Sequence, residues 1–158
     1  MDLALTSGGR DVMVYQNNAT DWIAMADLKT GEETNLLKIP FDVNPDIGLH
    51  FSGNCSDGGW VLVSTYGSKN PPEGSEHSWM DNELFMLELK APDDDPYDEI
   101  ANTNSYTSVE YEGEKNYFAE SFAAVNSGCT KVYFGSNWGI MDVDYTDAYI
   151  AEMGDLFN

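Results

Sequence analysis

Basic residues are scarce in this sequence of 158: Lys and Arg number 7 against 28 Asp and Glu, leaving a net charge of -21. A surface of that sign repels phosphate backbones and anionic bilayers, which excludes nucleic acid and the membrane surface as expected partners. No apolar run approaches the roughly eighteen residues of a membrane-spanning helix, and no basic-then-apolar leader opens the chain. The expectation is a soluble protein with no signal peptide in this chain. Cysteine is confined to Cys55 and Cys129, whose spacing fits neither a zinc site nor a paired redox motif. No phosphate-binding loop, nucleophile elbow or dinucleotide fingerprint is present, which leaves those reaction classes unsupported.

Apolar residues, by contrast, make up 42% of the chain and aromatics 13%, enough for a packed core despite the charge. The length suits one domain. The acidic excess reads as a solvated surface, adapted to salt or to solubility, ahead of a dedicated cation site.

What organises the chain is a repeat. With a middle strand as anchor, Val12-Met13-Val14-Tyr15, Val61-Leu62-Val63-Ser64 and Val132-Tyr133-Phe134-Gly135 align. Each is preceded by a short apolar stretch and a turn: Ser7-Gly8-Gly9-Arg10, Ser56-Asp57-Gly58-Gly59 and Ser127-Gly128-Cys129-Thr130. Each is followed by a third strand, Trp22 to Leu28, Glu83 to Leu89 and Asp147 to Met153, with an acidic residue in register at Asp27, Glu88 and Glu152. Leu28 to Leu89 is 61 residues and Leu89 to Met153 is 64, too long for a solenoid turn and suited to a propeller blade with generous loops.

The expected fold is therefore all-β, a partial β-propeller in one domain of residues 1–158. Its three four-stranded antiparallel blades fall at about 1–40, 48–104 and 117–158, the last incomplete. The third repeat has strands expected at Phe118 to Val125, Lys131 to Ser136 and Ala148 to Met153, and no fourth. Three blades cannot close a ring that needs about four to eight, and open sheet edges invite pairing. The chain is expected either to self-associate or to be the C-terminal part of a longer propeller. Cys55 and Cys129 lie in equivalent turns, offset by three positions, and are expected as free thiols because such turns diverge around a ring. The long segment Gly67 to Asn82, with His77 and Trp79, is expected to be a functional or disordered loop.

At the level of motif, the inner strand, Gly-rich turn and acidic-apolar third strand resemble the TolB-like, WD-related propeller repeat. Leu49 to Asn54, Trp60 to Tyr66, Asn82 to Leu89 and Val132 to Gly139 further resemble the propellers of oligogalacturonate lyases, over most of residues 48–153. That resemblance implies a divalent metal, manganese or calcium, held by histidines near a ring axis, and a base that abstracts the proton beside a uronate carboxylate. It also implies an extracellular or periplasmic setting. In the family pattern, histidines stand where this sequence has Asn102 and Phe122. Phenylalanine cannot bind a metal, and asparagine offers only a neutral oxygen.

The family-like histidine that remains is His50. It is either a hydrogen-bonded structural residue of an apolar strand or, with Glu120 in the same layer, a ligand of a metal or a sugar. His77 is expected to be exposed. Tyr66, Trp79, Tyr117 and Trp138 are candidate sugar-stacking rings, with packing between blades as the competing role for Tyr66 and Trp138 and Trp79 the best placed for exposure. Asp142, Asp144 and Asp147 lack the glycine and terminal glutamate of a calcium loop, so a solvated loop is expected there.

Taken together, these residues point to a module that binds an acidic polysaccharide or an oligosaccharide, or mediates assembly, without catalysis of its own. Its candidate carbohydrate-binding residues are His50, Tyr66, Trp79, Glu120 and Trp138. Part of a metal-dependent uronate lyase and a protein-interaction scaffold are the alternatives.

Overall fold

The computed structural model describes residues 1–45, 47–67, 79–92, 96–105, 110–111, 114–115, 119–140 and 145–154. Among them the chain is all-β without an α-helix, and its main architecture is three antiparallel sheets of four, four and three strands. The first sheet comprises β1 (Asp2–Leu5), β2 (Asp11–Asn17), β3 (Trp22–Asp27) and β4 (Glu33–Lys38). The second comprises β5 (Gly48–Ser52), β6 (Trp60–Tyr66), β7 (Glu83–Glu88) and β8 (Tyr97–Asn102). A two-stranded hairpin, β9 (Glu110–Tyr111) with β10 (Glu114–Lys115), precedes the third sheet of β11 (Ala124–Val125), β12 (Lys131–Ser136) and β13 (Asp147–Glu152). Within each main sheet the spatial order follows the chain order.

Side-chain capture by the backbone sets the turns. The Asp27 carboxylate accepts from the backbone N–H of Lys29 at 2.9 Å and of Thr30 at 3.0 Å, and Arg10 Nη1 donates to it at 3.2 Å. These bonds, led by the one from Thr30, hold the Asp27 carboxyl below the usual carboxylate range. In the third sheet Asn126 serves the turn between β11 and β12, its Oδ1 accepting from Thr130 and Lys131 N–H, both at 2.9 Å.

Burial follows the sequence pattern. β6 and β7 carry near-continuous apolar runs, Val61-Leu62-Val63 and Leu84-Phe85-Met86-Leu87, and all of these residues are fully buried. A strand buried on both faces reads this way, and the second sheet is indeed the middle layer. Val61, Val63, Phe85 and Leu87 pack against Val12, Val14 and Met25 of the first sheet. Leu62, Leu84 and Met86 pack against Val125, Val132, Phe134 and Met153 on the other side. β2 and β12 alternate buried with exposed or half-buried residues instead, as outer layers do.

The first strands of the three sheets, β1, β5 and β11, lie next to one another where the sheets meet, β5 touching both of the others. At the first joint, Gly53 N–H donates to Asp2 Oδ2 at 2.9 Å and Gly59 N–H to the Leu5 carbonyl at 2.7 Å. The approach is so close that a Cβ on Gly53 would overlap the Leu3 carbonyl. At the second joint, the Ser52 and Ser64 hydroxyls accept from Val125 and Ala123 N–H at 3.2 and 3.4 Å, and Ser56 N–H donates to the Ser127 carbonyl at 2.9 Å.

Cys55 and Cys129 are joined by a disulfide across this second joint, with a Cα separation of 5.3 Å. The expectation of free thiols is therefore wrong. The turns do not diverge: they abut through Ser56 and Ser127. Their offset then places one cysteine at the entry of its turn opposite another at the exit of its own.

The repeat alignment also needs a correction. Val12 faces the second sheet, whereas Val61 faces back to the first and Val132 back to the second. The acidic residues keep the true register: Asp27 lies opposite Val12, Glu88 opposite Trp60 and Glu152 opposite Lys131. Val12 thus corresponds to Trp60 and Lys131, one residue from the anchor valines, and a slip of one reverses every side chain. The inner strand of the third sheet is shorter than expected, and residues 119–123 approach it as irregular chain. The third sheet has three strands among the described residues.

Candidate functional site

Three of the five candidate residues come together at one end of the second joint. His50 lies in β5 opposite Ser64, and two residues earlier on the same face Gly48 lies opposite Tyr66. Gly48 matters by what it lacks: a Cβ there would overlap the Tyr66 ring. The space lets Tyr66 lean across β5 and stack on His50, with ring centroids 5.0 Å apart and planes at 22°. On its other flank His50 meets Phe122, at 4.2 Å and 37°.

Glu120 reaches the same imidazole from the chain that leads into β11. Ala119 and Ser121 on either side are buried, the Ala119 carbonyl accepts from the Ser105 hydroxyl, and Phe122 N–H donates to the Glu120 carbonyl at 2.9 Å. With its neighbours fixed, the Glu120 side chain turns to His50, Oε2 lying 3.1 Å from Nε2. A carboxylate only accepts, so in this bond Nε2 carries the hydrogen. The pair is half-open, with 26% of the His50 and 16% of the Glu120 side chain exposed.

Chemically, the arrangement offers an oriented imidazole, a carboxylate and aromatic surface within one patch. As metal ligands His50 and Glu120 make a pair, and among the described residues no group of three or more His, Cys, Asp or Glu stands ready to hold an ion.

The other two candidates lie elsewhere. Trp79 is half-buried against the core between the first two sheets, and its carbonyl accepts from Asn44 Nδ2 at 3.0 Å, so the expected exposure in a loop is not what is found. Trp138 follows β12, is 48% exposed, and stacks on Tyr149 of its own sheet with centroids 4.9 Å apart. Its packing is within one sheet and not between two. His77, Tyr117, Asp142 and Asp144 lie outside the described residues. Asp147 opens β13 and accepts from the Tyr145 hydroxyl at 2.6 Å, which pushes the Tyr145 phenol up to about 12.

Sequence reasoning missed Phe122, read only as a position where a metal-binding histidine is lacking, and Gly48. For Gly48 a signal existed: a glycine opening an apolar strand two residues before its only histidine leaves room for a neighbouring side chain. Comparison with protein-family models, with curated proteins and with solved structures finds no match to this chain in any of the three.

Proposed function

We propose that this chain is a β-propeller module of three blades that binds an oligosaccharide at His50, Tyr66 and Glu120. The observation that carries the reading is the half-open His50 ring, flanked by Tyr66 and Phe122 and hydrogen-bonded to Glu120. Aromatic faces suit the apolar C–H face of a pyranose, and a carboxylate accepts strongly from sugar hydroxyls. The adjacent inner strands and the three meandering sheets support the blade reading.

Of the two ligand classes, a neutral oligosaccharide fits better than an acidic polysaccharide, because a net charge of -21 repels a polyanion. The same imidazole–carboxylate pair supports a second reading as part of a uronate lyase, with Glu120 orienting His50 as the base. Asn102 and Phe122, in place of the histidines that the lyase resemblance implies, weigh against it.

Calorimetric titration with neutral and uronate oligosaccharides, with and without divalent metal, tests these readings. The expected result is binding of a neutral sugar that His50→Ala or Glu120→Gln weakens by about 10-fold or more, the cost of a hydrogen bond to a charged group. A metal-dependent rise in ultraviolet absorbance from an unsaturated uronate would establish the lyase instead. Absence of heat with every glycan would overturn the binding proposal.

A further inference from the structure

We infer that the free faces of the first and third sheets are the two halves of one joint, and that a second copy of this chain docks head-to-tail between them. Within the chain the same joint occurs twice: the forward face of the first sheet packs on the back of the second, and the forward face of the second on the back of the third. The third sheet therefore presents a forward face, and the first sheet a back face, on which no further sheet packs among the described residues, although Leu49 and Phe51 line a cavity beside Met1, Met13 and Tyr15.

Both faces carry apolar side chains. On the first sheet, Leu3 lies opposite Met13 and is 60% exposed, Met1 beside it is 84% exposed, and Tyr15 follows on the same face of β2. On the third sheet, Tyr133 lies opposite Ile150, and they are 45% and 58% exposed. The first sheet's face keeps the carboxylates of Glu33, which accepts from the Tyr15 hydroxyl at 2.7 Å, and of exposed Asp11, while on the third sheet's face Lys131 lies 3.0 Å from Glu152. The two faces differ in composition and in the sense of the joint, so the contact is heterologous. Two copies then place six sheets in sequence, which lies within the range of about four to eight that closes a propeller ring.

Each copy carries a net charge of -21, so association must strengthen with salt. Sedimentation equilibrium of the full chain at about 0.1 M and 1 M salt, where the screening length falls from about 10 Å to about 3 Å, is the test. Twice the monomer mass at high salt is expected. Leu3→Lys and Ile150→Lys sit at exposed positions and should leave the unfolding midpoint unchanged, while each weakens self-association by at least about 10-fold by burying an unpaired charge. Mixing the two variants should restore a dimer, because the intact third sheet of one meets the intact first sheet of the other. The inference is overturned by a monomer at every salt concentration, by an effect of only one of the two substitutions, or by a mixture that remains monomeric. It does not depend on glycan binding, and loss of either property leaves the other measurable.

Discussion

Reducing the bond between Cys55 and Cys129 should unfold this chain far more easily. The bond closes a loop with a sequence separation of 74 residues. Loop-closure entropy for that length corresponds to about 15 cal/mol/K, or about 4.4 kcal/mol at room temperature. A domain of this size has about 5–15 kcal/mol in all, so the loss is a large share of it. With a urea dependence near 2 kcal/mol/M, the midpoint should fall by about 2 M, and the slope should steepen because the unlinked denatured chain exposes more surface. The comparison to make is oxidised against reduced wild type, since both keep the sulfur atoms of the buried Cys55. Cys55→Ala with Cys129→Ala should fall further, by the small packing loss at those sites. Coincident midpoints for the oxidised and reduced chain, within about 0.3 M on that urea scale, would refute the reasoning. Two titratable thiols in the unfolded, unreduced chain would refute the bond itself.

Gly53→Ala forces a methyl group into the Leu3 carbonyl and should cost about 1–3 kcal/mol in urea unfolding, whereas Gly154→Ala, with nothing within 4 Å, should be near neutral. Asp27 has a depressed carboxyl in the folded chain, so its contribution is present above the unfolded value of about 3.9 and is lost as pH falls through the folded value. Asp27→Asn should accordingly flatten the acid limb of a stability-against-pH curve, and an unchanged acid limb would contradict this. Tyrosine-labelled NMR should find the Tyr145 phenol titrating at about 12, and Asp147→Asn should return it toward about 10. Gly48→Ala should displace the Tyr66 ring from His50, seen as loss of the ring-current shift on the imidazole.

Much of this architecture was legible because it rests on local chemistry. The strands and the turns between them follow from apolar runs bounded by turn residues, but β2 and β12 are as apolar as β6 in sequence, Val12-Met13-Val14-Tyr15 and Val132-Tyr133-Phe134, and only their burial separates outer sheets from the middle one. The acidic residue closing each third strand kept register because it sits beside a turn, where Asp27 serves its own backbone. Valine carries no such mark of direction, and the anchor at Val12 slipped by one. His50 and Glu120 were read into the same layer, and they meet across 70 residues of sequence. The disulfide was not legible, because it depends on how two turns pack in space. The half-burial of Trp79 and the stacking of Trp138 within its own sheet were not legible for a related reason: a ring's neighbours are chosen by the packing of whole sheets, and composition is silent on that.

Between Cys55 and Cys129 the backbone is a covalent ring, with the first sheet and β5 on one tail and β12 and β13 on the other. Every strand of the second sheet except β5, together with β11, belongs to that ring. A protease that cuts once inside it opens the ring without dividing the molecule, whereas a cut in either tail releases a piece no longer tethered by any covalent bond. Tolerance to nicking is thus distributed unevenly along the chain, greatest across residues 56–128, and it disappears on reduction.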